Sequence, residues 1–365
     1  MSRDFANVIL EKFHHERHDP RGIAGKLGPG MARKRGARHM TNFGRLGLGL
    51  AWAIAALAGA AAVNAADYPE RPVKIIVPFT PGGGVDVMTR ILAQKLAPAL
   101  GHAVVVENKP GAGGAIAAEA VAKSAADGHT LFATTNAIMT INTALYKDLR
   151  YDPRRDFAPV TLFANLVVGL VVNPDLGVKN VADLVALAKS KPGGLSGGSP
   201  NIGSVTHLSL ALLNKMAGVN IVHIPYPGGP RVMAAVVSGE LQMAFSDIVP
   251  VLPLAKAGKV LVIGVIGGQR AATAPDVPTM EEAGLKGFEL SAWSAIFAPA
   301  GTPAEIIARL NREIRSVLAE PDIKKRLIAL GGEPIGGSPE ELGERLRREL
   351  PLWTALVRGA GAKVE

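Results

Sequence analysis

The stretch VKIIVPFTPGGGVDVMTR, residues 73–90, decides the fold. Its first five residues form a short, β-branched apolar run that reads as a buried strand. Residues 78–84 are rich in proline and glycine and stop that strand. Val85, Met88, Leu92 and Leu96 then recur at helical spacing, with Asp86 in the first turn. Three successive glycines let the backbone approach another molecule closely, and the N–H groups of a helix N-terminus favour an anion. The unit is a strand, a bare loop and a helix, and the loop is a candidate anion-binding site.

The same alternation continues outward. Residues 104–106 read as a strand, 109–114 as a Gly-rich turn, 115–125 as a helix, and 131–133 as a strand ending in Thr134, Thr135 and Asn136. This spacing predicts parallel α/β layers, in which ligands sit beyond the carboxyl ends of strands. A second block begins near Leu166 with an apolar run to Val172, and a helix is expected over 181–190. Residues 194–219, GLSGGSPNIGSVTHLSLALLNKMAGV, then repeat the logic of the opening stretch: a short strand, a loop of Ser199, Pro200, Asn201, Ile202, Gly203 and Ser204, and a helix from about Thr206. Two such loops from two α/β blocks predict a cleft with donors on both walls. Further strands are expected at 221–224, at 243–245 ending in Ser246 and Asp247, and at 260–265. A return strand at 293–298 precedes helices opening at Pro303, Pro321 and Pro339, where proline suits the first turn. The last 70 or so residues are expected to pack back on the first block, with crossings near Leu166 and Phe288 forming a hinge.

Composition bounds the function. A chain of 365 residues with 48% apolar content can bury a sizeable core, and its length favours two domains. The formal charge is +9, but residues 1–65 hold ten Lys/Arg against four Asp/Glu and so account for most of it. In that leader a basic segment (Arg33, Lys34, Arg35, Arg38, Arg45) precedes an apolar run over 46–63, and small residues mark a cleavage site before Ala66. The pattern reads as a cleaved secretory signal peptide, with Met31 or Met40 as alternative starts; a membrane anchor is its rival. Aromatic residues make up 5% of the chain and do not alternate with basic ones, which argues against nucleic-acid binding. Without cysteine there is no disulfide and no thiolate chemistry. Past the leader only His102, His129, His207 and His223 remain, none at a helical metal-binding spacing, so neither a metal nor a cofactor is expected.

Plainer readings stand beside these. Asp86 can simply complement the helix dipole, Phe79 can be core, and His207 can be a satisfied histidine at a helix start. His102, His129 and His223 read as structural or exposed. Residues 111–114 lack the full dinucleotide-binding spacing. Residues 194–198 match GxSxG and raise an alternative, a secreted serine hydrolase. A nucleophile elbow needs a strand before its serine, however, whereas Ser196 falls inside the expected strand, and no histidine follows His223.

Several stretches, in this order and spacing, resemble the substrate-binding proteins of tripartite tricarboxylate transporters, the Bug or TctC-type receptors. They are YPERPVKIIVPFTPGGGVDVMTR, VVVENKPGAGG, DGHTLF, YDPRRDFAPVTL, VHIPYPGG, PDVPTMEEAGL and FAPAGTP. The resemblance implies a monomeric two-domain α/β periplasmic binding protein of the flytrap, type II-like kind, without enzymatic activity. It would close around a small carboxylated metabolite for delivery to a membrane permease or for sensing. The implied division is a removed leader (1–65), a first lobe (66–166), a second lobe (167–287) and a return to the first (288–365). Carried over by position, Phe79, Gly82, Gly83 and Asp86 belong to the first binding loop, and Ser199, Asn201, Gly203, Ser204 and His207 to the second. Thr134 to Asn136 lie at a third strand end. The family's acidic residue after the phenylalanine of a later strand is Ser246 here, with Asp247 one place on; this weakens the case for amino-acid ligands and leaves dicarboxylates, tricarboxylates or aromatic acids.

Overall fold

The computed structural model describes residues 68–288 and 290–363. The basic segment, the apolar run and the expected cleavage before Ala66 lie outside the described residues. No helix among the described residues is long and apolar enough to cross a membrane.

The opening stretch folds as β1 (Val73–Val77) and α1 (Gly84–Leu100). β1 lies between β2 (Val104–Asn108) and β3 (Thr130–Thr135), parallel to both, with Ile75 opposite Val106 on one side and Leu131 on the other. A central parallel strand is covered on both faces, which is why its sequence is almost uninterruptedly apolar. α1 lays Met88, Leu92 and Leu96 against that sheet at a four-residue spacing, all three buried. Gly101, in the left-handed region, ends the helix.

α2 (Ala115–Ala122) follows β2, and a π-helical turn (Ala137–Ile141) leading into α3 (Asn142–Leu145) follows β3. The chain then runs through β4 (Phe157–Leu166), passes Val167, and enters β5 (Val168–Val172) in a different sheet. The expected single apolar run over 166–172 is therefore the last residue of one strand, a crossing residue, and the whole of another. The second sheet is built from β5, α4 (Val181–Ser190), β6 (Leu195–Ser199), α5 (Val205–Ala217), β7 (Ile221–Pro225), α6 (Gly229–Ser238), β8 (Met243–Asp247), α7 (Ile248–Lys256) and β9 (Leu261–Val265). Its strand order is β7-β6-β8-β5-β9, with β6 parallel to β7 and β8, and β5 antiparallel to β8 and β9.

Residues 266–291 carry the chain back to β10 (Ala292–Pro299), which runs antiparallel between β3 and β4. α8 (Ala304–Ala319), α9 (Pro321–Ala329), β11 (Gly332–Pro334) and α10 (Pro339–Gly359) follow, and the first sheet is ordered β11-β4-β10-β3-β1-β2. α10 opens with a capping box between Ser338 and Glu341. It does not simply return to the first block. Leu342 and Leu346 join a core cluster of the first sheet, whereas Leu352, Trp353, Leu356 and Val357 join the cluster that holds Leu208, Leu212 and Phe245 of the second. Pro351 lies inside the helix between these two sets.

Candidate functional site

On the first wall, the loop between β1 and α1 is held from below by Asp86. Its carboxylate accepts from the N–H of Gly82 (2.8 Å), from Asn108 Nδ2 (2.8 Å) and from Arg90 Nε (3.1 Å). Burial alone would raise its pKa, but the Arg90, Gly82 and Asn108 hydrogen bonds outweigh it and hold the carboxyl below the usual aspartate range. Asp86 is thus spent on shaping the loop. The same Asn108 amide also donates to the carbonyl of Phe79 at 3.0 Å, tying the end of β2 to the loop, while Phe79 itself is half-buried. Sequence reading missed Asn108, whose only signal is its place at a strand's carboxyl end.

Above Asp86 the loop is open. Gly82 adopts φ +86°, which an L side chain disfavours. Gly83 is the helix N-cap and offers no side chain, so the first-turn N–H groups lack an internal cap. A Cβ at Gly83 or Gly84 would meet nothing closer than 3.6 Å, the Thr80 carbonyl, so packing within the protein does not demand glycine there.

At the end of β3, Thr134 is fully buried and its Oγ1 has no hydrogen-bond partner, an exception among buried polar groups. Asn136 is committed elsewhere. Its amide donates to the Ser291 carbonyl (3.1 Å) and accepts from the Trp293 N–H (3.3 Å), so it clasps the returning strand and keeps one amide N–H uncommitted.

On the second wall, Ser204 caps α5. Its Oγ accepts from the His207 N–H at 3.2 Å and bonds the Asn201 carbonyl at 2.9 Å. Gly203 (φ +76°) donates its N–H to His207 Nδ1 at 3.0 Å, which fixes His207 as a neutral ring protonated on Nε2. Behind it stacks His223, ring centroids 3.8 Å apart and planes 19° from parallel. His223 Nε2 in turn lies 2.7 Å from Ser199 Oγ, whose own proton goes to the Asn201 carbonyl at 2.9 Å. Burial, and secondarily His223, pushes His207 down to about 4; burial also lowers His223. His223, read from sequence as structural or exposed, is therefore part of this loop's support. The Asn201 side chain is exposed.

Ser246 and Asp247 end β8. Ser246 is buried, whereas Asp247 is exposed at its surface; desolvation by the protein around it raises its pKa.

Contacts between the lobes bring the two walls together. A Cβ at Gly203 would stand 2.5 Å from Leu145 Cδ2, so the second-wall loop rests on the end of α3. On the other flank, Gly331 meets Val249, two residues past Asp247, and Leu330 borders Gly84. The bare N-terminus of α1 and the end of β8 thus lie on either side of the Leu330–Gly331 turn. A further link is Glu333 Oε1, which accepts from the Ala272 N–H at 2.6 Å.

The GxSxG serine does not form an elbow. Ser196 lies within β6, its Oγ and N–H both bonded to Gln242 Oε1, at 2.8 and 2.9 Å. Among the described residues no cluster of three or more histidine or acidic side chains could hold a metal.

Comparison with known proteins agrees with this architecture. Residues 88–361 match the model of the tripartite tricarboxylate transporter family receptor. BugT of Bordetella pertussis is 35% identical over 307 residues, covering 84% of this chain and 94% of BugT. Among solved structures, R. palustris Rpa4515 with adipate is 35% identical, with a TM-score of 0.72 and coverage of 82% of this chain and 100% of that one. MatC from Rhodopseudomonas palustris with bound malate is 33% identical, with a TM-score of 0.67 and coverage of 80% and 100%. The chain belongs to the tripartite tricarboxylate transporter receptor family, whose members are periplasmic solute-binding proteins rather than enzymes.

Proposed function

We propose that this receptor binds a small organic acid carrying two or more carboxylates, between the α1 loop on one wall and the Ser199–Ser204 loop with Ser246 and Asp247 on the other. The observation that carries the reading is the α1 N-terminus. Its loop is tied down by Asp86, its first-turn N–H groups lack a side-chain cap, and a Cβ on Gly83 or Gly84 would meet nothing closer than 3.6 Å. Such a terminus favours an anion, and hydrogen bonds to a carboxylate are the strong kind. The adipate and malate of the two related structures are dicarboxylates, which supports the same class here. Lobes 66–166 with 288–365, and 167–287, would close around the acid, and the closed form would be the one a membrane permease receives. Closure requires that the ligand contact both lobes, since only differential contacts shift the equilibrium.

The test is a thermal-shift screen of protein recovered from the periplasm of expressing cells, against mono-, di- and tricarboxylates, amino acids and aromatic acids. A ligand at 100 times its dissociation constant adds about 2.7 kcal/mol of stability. A shift with dicarboxylates or tricarboxylates, the acid being recovered unchanged, supports the reading. A shift confined to amino acids or to monocarboxylates overturns the assigned class.

A further inference from the structure

We propose that the groove between residues 143–156 and the outer face of α10 is a docking site for an acidic polypeptide segment of a partner protein. The groove is a recess of about 850 Å³, separate from the cleft residues. On α10 its lining is Arg347, Leu350, Pro351, Thr354 and Arg358. Offsets of three, four, seven and eleven residues from Arg347 place all five on one helical face. By helical rise, Arg347 and Arg358 are about 16 Å apart along the axis and within about 20° of each other around it.

The facing wall carries Lys147, Arg150, Arg154 and Arg155, so six cations meet only two carboxylates, Asp152 and Asp156. Those carboxylates are already engaged: Arg154 lies 3.0 Å from Asp152, and Arg155 lies 3.9 Å from each. Arg150 reaches Glu119 at 3.9 Å. Lys147, Arg347 and Arg358 are exposed and make no ion pair among the described residues. A recess whose lining carries six cations against two carboxylates has a net positive field that attracts an incoming anion.

The dimensions choose the partner. A row of about 16 Å is longer than a small di- or tricarboxylate, so its carboxylates must be repeated along an extended molecule. The lining also includes the half-buried Tyr146, Leu149 and Leu350, which suit the apolar stems of a peptide seated among the cations. Tyr146 directly follows Leu145, so a segment seated here would lie against the part of the first lobe that meets Gly203.

The probe is a fluorescein-labelled decaglutamate peptide, titrated by anisotropy against protein recovered from the periplasm of expressing cells. The expected result is binding that weakens about tenfold or more between 20 and 200 mM salt, as exposed charge pairs do. Binding should fall at least about tenfold in the Arg347→Glu/Arg358→Glu variant. The control Lys189→Glu/Lys256→Glu makes the same charge change on exposed helix ends of the second lobe and should bind within about twofold of the parent. If charge reversal at 347 and 358 costs stability, Arg347→Gln/Arg358→Gln gives the same readout. The proposal is overturned if the parent does not bind the peptide, or if the groove variants lose no more affinity than the control. It is also overturned if phosphatidylglycerol vesicles, but not the peptide, bind in a way that depends on Arg347 and Arg358.

Discussion

His207 and His223 stack with centroids 3.8 Å apart, and each ring also holds the second-wall loop, one at the Gly203 N–H and the other at Ser199 Oγ. The pair works only while neutral. A proton on His207 Nδ1 would break its bond from Gly203 and set a charge against the neighbouring ring.

The first prediction is a loss of stability on acidification. His207 has a folded-state pKa of about 4, below its ordinary 6.5, so the unfolded chain binds more protons between those values. Stability should be constant in this respect above 6.5 and fall as pH drops toward 4, by on the order of 3 kcal/mol from this residue. In His207→Asn, whose Oδ1 can take over from Nδ1, the decline should be smaller. Urea midpoints of both proteins at pH 7 and 4.5 measure the difference, and parallel declines would clear His207 of the effect.

Removing the Asp86 carboxylate should unmake the first wall. Asp86→Ala leaves the Gly82 N–H, Asn108 amide and Arg90 without their shared acceptor. The expected cost is about 2–4 kcal/mol by chemical denaturation, together with weaker acid binding. Because the folded-state pKa of Asp86 is depressed, wild-type stability from this group is present above its ordinary pKa and lost on acidification below it. A variant as stable as the parent would show that the three bonds contribute nothing net.

Gly83→Val separates binding from folding. A Cβ at Gly83 would make only an ordinary contact with the Thr80 carbonyl at 3.6 Å, and valine is a poorer N-cap than glycine, so the melting point should fall by no more than about 4 °C. Acid binding, read by calorimetry, should drop at least about a hundredfold, because the new methyls stand where the anion approaches the first-turn N–H groups. Retained affinity would move the ligand away from this loop.

Gly203→Ala should hinder closure. Its Cβ would run into Leu145 Cδ2 at 2.5 Å, and the left-handed backbone adds about 1–2 kcal/mol of strain. Small-angle scattering should report a larger radius of gyration for the liganded variant than for the liganded parent. Adding Leu145→Ala should restore part of the compaction, since it removes the obstacle but not the strain. No recovery in the double variant would assign the whole effect to the backbone.

The stretch at 73–90 was legible because its strand, loop and helix each carry their own local signal: a β-branched run, a Pro-Gly cluster and a four-residue period. β4 carried none. Pro159 interrupts its apolar run, and proline argues against a sheet interior. The structure resolves the conflict because β11 pairs only with Ala164 to Leu166, so at Pro159 the strand is in effect an edge, next to a register shift opposite Phe297. In the site, Gly82, Ser204 and Asp86 could be found from position within a strand-loop-helix unit. Asn108 and His223 could not, since each acts on a loop tens of residues away through sheet neighbours that no local pattern reveals. Asn136 was legible only as a polar residue at a strand end; its bonds to Ser291 and Trp293 of the returning strand, more than 150 residues on, were not.

The split seating of α10 makes Pro351 more than an interruption. The helix is rooted in the first core through Leu342 and Leu346 and in the second through Trp353 and Leu356, and Pro351, which lacks an N–H, lies between the two anchor sets. Among the described residues the two sheets are thus joined at residue 167, through the stretch that follows β9, and by this helix. A separation of the two sheets would have to flex α10 or lift one of its ends from its seat, so this helix would resist any opening of the receptor.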